Sequence, residues 1–84
     1  MIKEHDRVVL TDDVPTEGLK TGDIGTVVHI HGKGEAYEVE FICLDGETIA
    51  VTTLRADQVR PAKSGEIAHA RELATKQSAS VILG

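Results

Sequence analysis

The stretch Ala36-Tyr37-Glu38-Val39-Glu40-Phe41-Ile42-Cys43-Leu44-Asp45-Gly46 decides the fold. Tyr37, Val39, Phe41 and Cys43 fall on one side of an extended chain and Glu38 and Glu40 on the other, the period of two that marks a half-buried strand. Asp45-Gly46 follows at once, and this pair tolerates the positive φ angles of a tight hairpin turn. Glu47 to Leu54 is therefore expected to return antiparallel, with Ile49, Val51 and Thr53 facing the core opposite Val39 and Phe41.

Working outward, Ile24 to His31 is a Val- and Ile-rich strand joined to this hairpin by the Gly32-Lys33-Gly34 loop. Gly25 near its start suits a bend or a close approach of neighbouring backbone, because it has no Cβ. Val27 and Ile30 have opposite parity, so burying both needs a bulge between them. Arg7-Val8-Val9-Leu10 is a first strand, followed by a long loop from Asp12 to Asp23 that carries Pro15, Gly18 and Gly22. Downstream, one turn through Arg55 to Gln58 leads to a short last strand ended by Pro61. The expected core is Val8, Leu10, Val27, Ile30, Val39, Phe41, Ile49, Val51, Leu54 and Val59. The pattern predicts an all-β fold, a small closed barrel of about five strands over residues 1–62. Residues 63–84 change character. Ser64 can cap a helix over Glu66 to Gln77, with Ile67, Ala70, Leu73 and Ala74 on one face. That tail and its apolar end, Ser80 to Gly84, either dock on the barrel, join two chains as a small homo-oligomer, or stay partly disordered.

With 84 residues and 40% hydrophobic content, the chain makes one domain with a modest core. Tyr37 and Phe41 are its only aromatic residues, so Val, Ile and Leu must fill the interior. The net charge of −5 is uneven: residues 1–62 hold six Lys and Arg against twelve Asp and Glu, residues 63–84 three against two. An acidic domain repels phosphate backbones, which makes nucleic acid a poor partner and a basic or neutral protein surface a better one. The single Cys43 precludes an intramolecular disulfide. No stretch approaches the roughly 20 apolar residues of a membrane span, and the first residues hold no apolar leader. A soluble, cytoplasmic protein is expected.

Asp6-Arg7-Val8-Val9-Leu10, Gly22-Asp23-Ile24-Gly25-Thr26-Val27-Val28, Tyr37-Glu38-Val39-Glu40-Phe41 and Gln58-Val59-Arg60-Pro61 resemble a bacterial family of short proteins catalogued as domain of unknown function 4926. The resemblance covers roughly residues 2–62, and the order of its elements is similar to that of SH3-like barrels. It implies a fold and assigns no activity, so it places no catalytic residues. More loosely, Gly22 to Val28 resembles the KOW motif of transcription and ribosomal proteins, although this chain is acidic where nucleic-acid-binding KOW domains are commonly basic.

Each possible chemical site has a plainer reading beside it. His29 and His31 lie two apart on one strand and could meet at a metal with His5 or Cys43, but two exposed strand histidines are the simpler account. Cys43 continues the buried face of its strand and reads as a small hydrophobe. Gly32-Lys33-Gly34 lacks the Lys-Ser/Thr of a phosphate loop. Glu38 and Glu40 share a flat polar face without the contrasting environments of an acid and base pair. No enzyme activity, cofactor or metal is expected. The stronger candidate is the long loop, where Asp12, Asp13, Glu17 and Asp23 would steer a basic protein partner and Val14, Pro15 and Leu19 would supply apolar contact. The expected function is a non-catalytic interaction module. The alternatives are a KOW-like nucleic-acid-associated domain and an accessory or antitoxin-like partner of an enzyme on another chain.

Overall fold

Alternation along the chain becomes five strands in the computed structural model, which describes residues 1–73. They are β1 (Arg7–Leu10), β2 (Ile24–His31), β3 (Ala36–Ile42), β4 (Thr48–Arg55) and β5 (Val59–Pro61), all antiparallel in one sheet of order β4-β3-β2-β1-β5. A single helical turn, Ala56–Gln58, links β4 to β5, and the Gln58 side chain accepts the Arg55 N–H at 2.8 Å.

The closed SH3-like barrel expected from the strand order is not what forms. Closure would require the outer strands to hydrogen-bond, whereas β4 pairs with β3, β5 pairs with β1, and the sheet stays open between them. β5 is only three residues long and ends in Pro61, which has no N–H for a further ladder. The apolar face is sealed another way: Leu19 of the long loop is buried in the core cluster, and Val14, Ile2 and Ile30 pack against it.

Val8, Leu10, Val27, Val39, Phe41, Leu54 and Val59 are buried as the alternation predicts. The bulge demanded by Val27 and Ile30 is present: Val27 pairs with Val39 and Ile30 with Tyr37, with a register shift between Val27 and His29. Val51 and Thr53 are corrections, both exposed, Val51 at 55%, and Ile49 is only half-buried and outside the core cluster. A second irregularity sets Phe41 opposite Ala50 but Ile42 opposite Thr48, so Ala50, Thr52 and Leu54 share the core face and Val51 turns outward. A one-residue change of register moves every side chain of a strand to the other face.

No helix forms over the described part of the tail, so the helical extension is also corrected. Two alanines on its apolar stripe offer little burial to offset helix nucleation, and polar contacts fix a different path. Gly65 is left-handed at φ 88°. Glu66 accepts the Lys63 N–H at 2.6 Å and binds Arg60 at 3.0 and 2.6 Å. Residues 74–77 of the expected helix and the apolar end at 80–84 lie outside the described residues.

These contacts, Arg60 first and the Lys63 N–H second, hold the Glu66 carboxyl down at about 2, against an ordinary 4.5. Because the folded value is the lower one, the contribution of this turn is complete above the ordinary value and fades as pH falls towards 2. In an NMR titration the Glu66 side chain should show a midpoint near 2 that climbs towards 4.5 in Arg60→Ala. An unchanged midpoint in that variant would mean the pair is not formed.

Candidate functional site

The loop from Asp12 to Asp23 is built as a small hairpin with fixed corners. Val14 and Leu19 exchange backbone hydrogen bonds of 2.8 and 3.1 Å around the helical turn Pro15–Glu17. Gly18 closes that turn at φ 72°, a left-handed conformation that glycine adopts without a Cβ penalty. Asp13 Oδ1 accepts both the Thr21 N–H, at 2.8 Å, and the Thr21 hydroxyl, at 3.0 Å. Those bonds, the backbone one foremost, hold the Asp13 carboxyl below the usual carboxylate range. Asp23 Oδ2 accepts the Lys20 N–H at 2.9 Å, and the Asp23 carbonyl accepts the Leu10 N–H at 2.9 Å, which ties the loop to β1.

The seven residues assigned to partner contact therefore divide. Asp12, Pro15 and Glu17 are exposed, Val14 is half-buried, and Asp13 is exposed but bonded to Thr21. Leu19 is 2% exposed and belongs to the core, so it has almost no surface to offer. Asp23 is engaged by Arg71, a residue that local sequence patterns did not single out. Arg71 Nε donates to Asp23 Oδ1 at 2.8 Å, and Nη2 donates to Oδ2 at 2.5 Å and to the Gly18 carbonyl at 3.1 Å. Asp23 raises the guanidinium pKa further, as a bidentate carboxylate does.

Arg71 brings the tail alongside a groove of about 730 Å³, lined by the start of β2 at Ile24 to Thr26, the end of β3 and its turn at Phe41 to Leu44, Ile49, and residues 68–73. Half-buried Cys43 lies in this groove. His29 and His31 are elsewhere, on the β2 segment paired with Glu38 and Ala36, and Cys43 is five residues beyond Glu38, roughly 15 Å along an extended strand. The histidine rings meet edge to face at 4.9 Å, His29 lies 3.8 Å from Glu4, and His31 Nε2 lies 2.7 Å from Glu38. Glu38 also accepts the Thr53 hydroxyl at 2.6 Å, and Thr53 first and His31 second hold its carboxyl low. Glu40 accepts the Thr48 hydroxyl at 2.9 Å, so the two glutamates are partnered separately. Among the described residues no three His, Cys, Asp or Glu converge as a metal site.

The family model described as Domain of unknown function (DUF4926) matches residues 4–61, which run from just before β1 through β5. The chain belongs to this family. The DUF4926 segment contains the whole sheet and the acidic loop with Asp23, and it stops ten residues before Arg71. No curated protein and no solved structure matches the chain. Among the described residues of this DUF4926 protein, no helix is long and apolar enough to cross a membrane.

Proposed function

We propose that the chain is a non-catalytic interaction module that meets a protein partner through the loop from Asp12 to Asp23. The observation that supports this reading most is that the loop holds an arginine already, with two Asp23 oxygens and a backbone carbonyl presented on a hairpin braced by its own hydrogen bonds. A preorganised acidic surface of this kind suits a basic protein, because rigid groups lose little freedom on binding. Asp12 and Glu17 stand exposed on the same loop, where they steer encounter rather than hold the loop together. The six-charge acidic excess of residues 1–62 works against a phosphate backbone, which places nucleic acid behind protein as a partner. A lone thiol fits a reducing compartment, and we place the protein in the cytoplasm.

The test uses a partner isolated by copurification, with association followed by stopped-flow mixing. In the double variant Asp12→Lys, Glu17→Lys association should slow several-fold at low salt, and the difference should shrink as the screening length falls below about 8 Å. Asp13 is left intact because it anchors Thr21. Unaltered association kinetics would move the interface away from this loop.

A further inference from the structure

Arg71 is the seat's occupant in this chain, but the fit around it is incomplete. Asp23 is oriented by bonds that do not involve the tail: its carboxylate takes the Lys20 N–H, and its own N–H and carbonyl are tied to Lys20 and Leu10. The arginine seat therefore exists before anything enters it. Beside it the groove wall is apolar, yet with the tail in place Leu44 remains 97% exposed and Ile42 56% exposed. The tail lines this groove with Ala68, Ala70 and the half-buried Leu73, and these leave Ile42 and Leu44 largely uncovered.

We infer that the groove is a docking site for an extended, arginine-bearing segment of a partner protein, whose arginine takes the Asp23 and Gly18 seat and whose large apolar residues cover Ile42 and Leu44, and that residues 68–73 are a displaceable internal occupant. The inference rests on the interaction-module reading and names the chemistry of the partner. Charge selects a cation at the seat, and geometry selects arginine over lysine, because a planar guanidinium reaches both Asp23 oxygens and the Gly18 carbonyl together while an ammonium is a point charge. Displacement is feasible because Arg71 supplies the polar hold while Ile67, Ala68, His69 and Ala70 stay exposed. Nine residues separate Pro61 from Arg71, and so short a connection gives an effective concentration on the order of 1 mM. With an intrinsic Kd of about 0.1 mM the tail would fill the seat about nine-tenths of the time and weaken an outside ligand about tenfold.

The experiment uses the full chain and three labelled peptides. The first has the sequence of residues 66–73, the second carries Arg71→Lys, and the third carries Ala68→Leu and Ala70→Leu. Binding is measured by fluorescence polarisation to the natural chain, to Arg71→Ala, and to Arg71→Ala with Asp23→Asn. The first peptide is expected to bind the Arg71→Ala chain about tenfold tighter than the natural chain. The third should bind tighter still, and the second should bind at least tenfold more weakly than the first. Binding should disappear when Asp23→Asn is added, with an unchanged thermal transition showing that both variants are folded. Equal binding to the natural and Arg71→Ala chains, or indifference to the lysine or leucine changes, overturns the inference. A concentration-dependent dimer of the natural chain that dissociates in Arg71→Ala would assign the seat to a second copy and also overturn it. The loop reading fails separately: if no peptide binds while Asp12→Lys, Glu17→Lys still slows association with the partner, the groove is refuted and the acidic loop stands.

Discussion

Phe41→Ala is expected to lower the free energy of unfolding by about 3–5 kcal/mol, measured from urea or thermal unfolding of the full chain. Phe41 is 2% exposed, and the one other aromatic residue, Tyr37, lies four positions away along β3, roughly 13 Å, too far for its ring to relax into the space that Phe41 leaves. Val39 and Val27 around it are stiff at χ1, which limits collapse of the cavity further. Set against the roughly 4–13 kcal/mol that a domain of this length possesses, the loss is between about a quarter of the total and all of it. Phe41→Leu keeps most of the volume and should cost substantially less. A loss under about 1 kcal/mol in Phe41→Ala would place the ring outside the core.

Strand positions were legible where the evidence for them was local. Tyr37 to Phe41 announced β3 by period, and the conflict of parity between Val27 and Ile30 announced a bulge that the register between Val27 and His29 contains. Val51 misled because the irregularity between Phe41 and Ile42 sits at the strand's end, where nothing in the sequence marks which residue is skipped. Closure was not legible either. The same alternation serves an open sheet and a barrel, and the difference lies in whether two distant edges hydrogen-bond. Leu19 sits in a segment without periodicity, so its burial follows from the hairpin with Val14 and from the uncovered face beneath it. Helix propensity over Glu66 to Leu73 was real but weak, and the contacts of Glu66 with Arg60 and of Arg71 with Asp23 outweighed it. The charge asymmetry between sheet and tail meets at one contact within the chain. The tail's Arg71, 48 residues from Asp23, pairs with that loop carboxylate, a contact too distant in sequence for local pattern to announce.

Gly25→Ala should destabilise the protein by about 1–3 kcal/mol, an overpacking cost unrelated to backbone strain. Gly25 is buried in β2, opposite Val8 of β1, and its φ lies outside the left-handed range, so alanine can adopt the backbone. Space is what it lacks. A Cβ there would sit 2.5 Å from Val39 Cγ1, 2.9 Å from the Phe41 ring and 3.0 Å from the Glu40 carbonyl oxygen. The methyl of Val39 belongs to a fully buried side chain and the carbonyl to the β3 backbone, so relief requires β2 and β3 to separate. Gly46 offers the contrast, since a Cβ there meets nothing within 4 Å but φ is 92°, and Gly46→Ala should be penalised through its turn conformation alone. A double-mutant cycle separates the two mechanisms. Val39→Ala removes the Cγ1 atom in the way, so Gly25→Ala should cost less in that background than in the natural chain, with a coupling of at least about 0.5 kcal/mol between neighbours. Gly46→Ala and Val39→Ala should simply add. If Gly25→Ala left the urea midpoint unchanged, β2 and β3 would not approach as closely as this packing requires, and the floor of the groove beneath Ile24 and Phe41 would have to be placed differently.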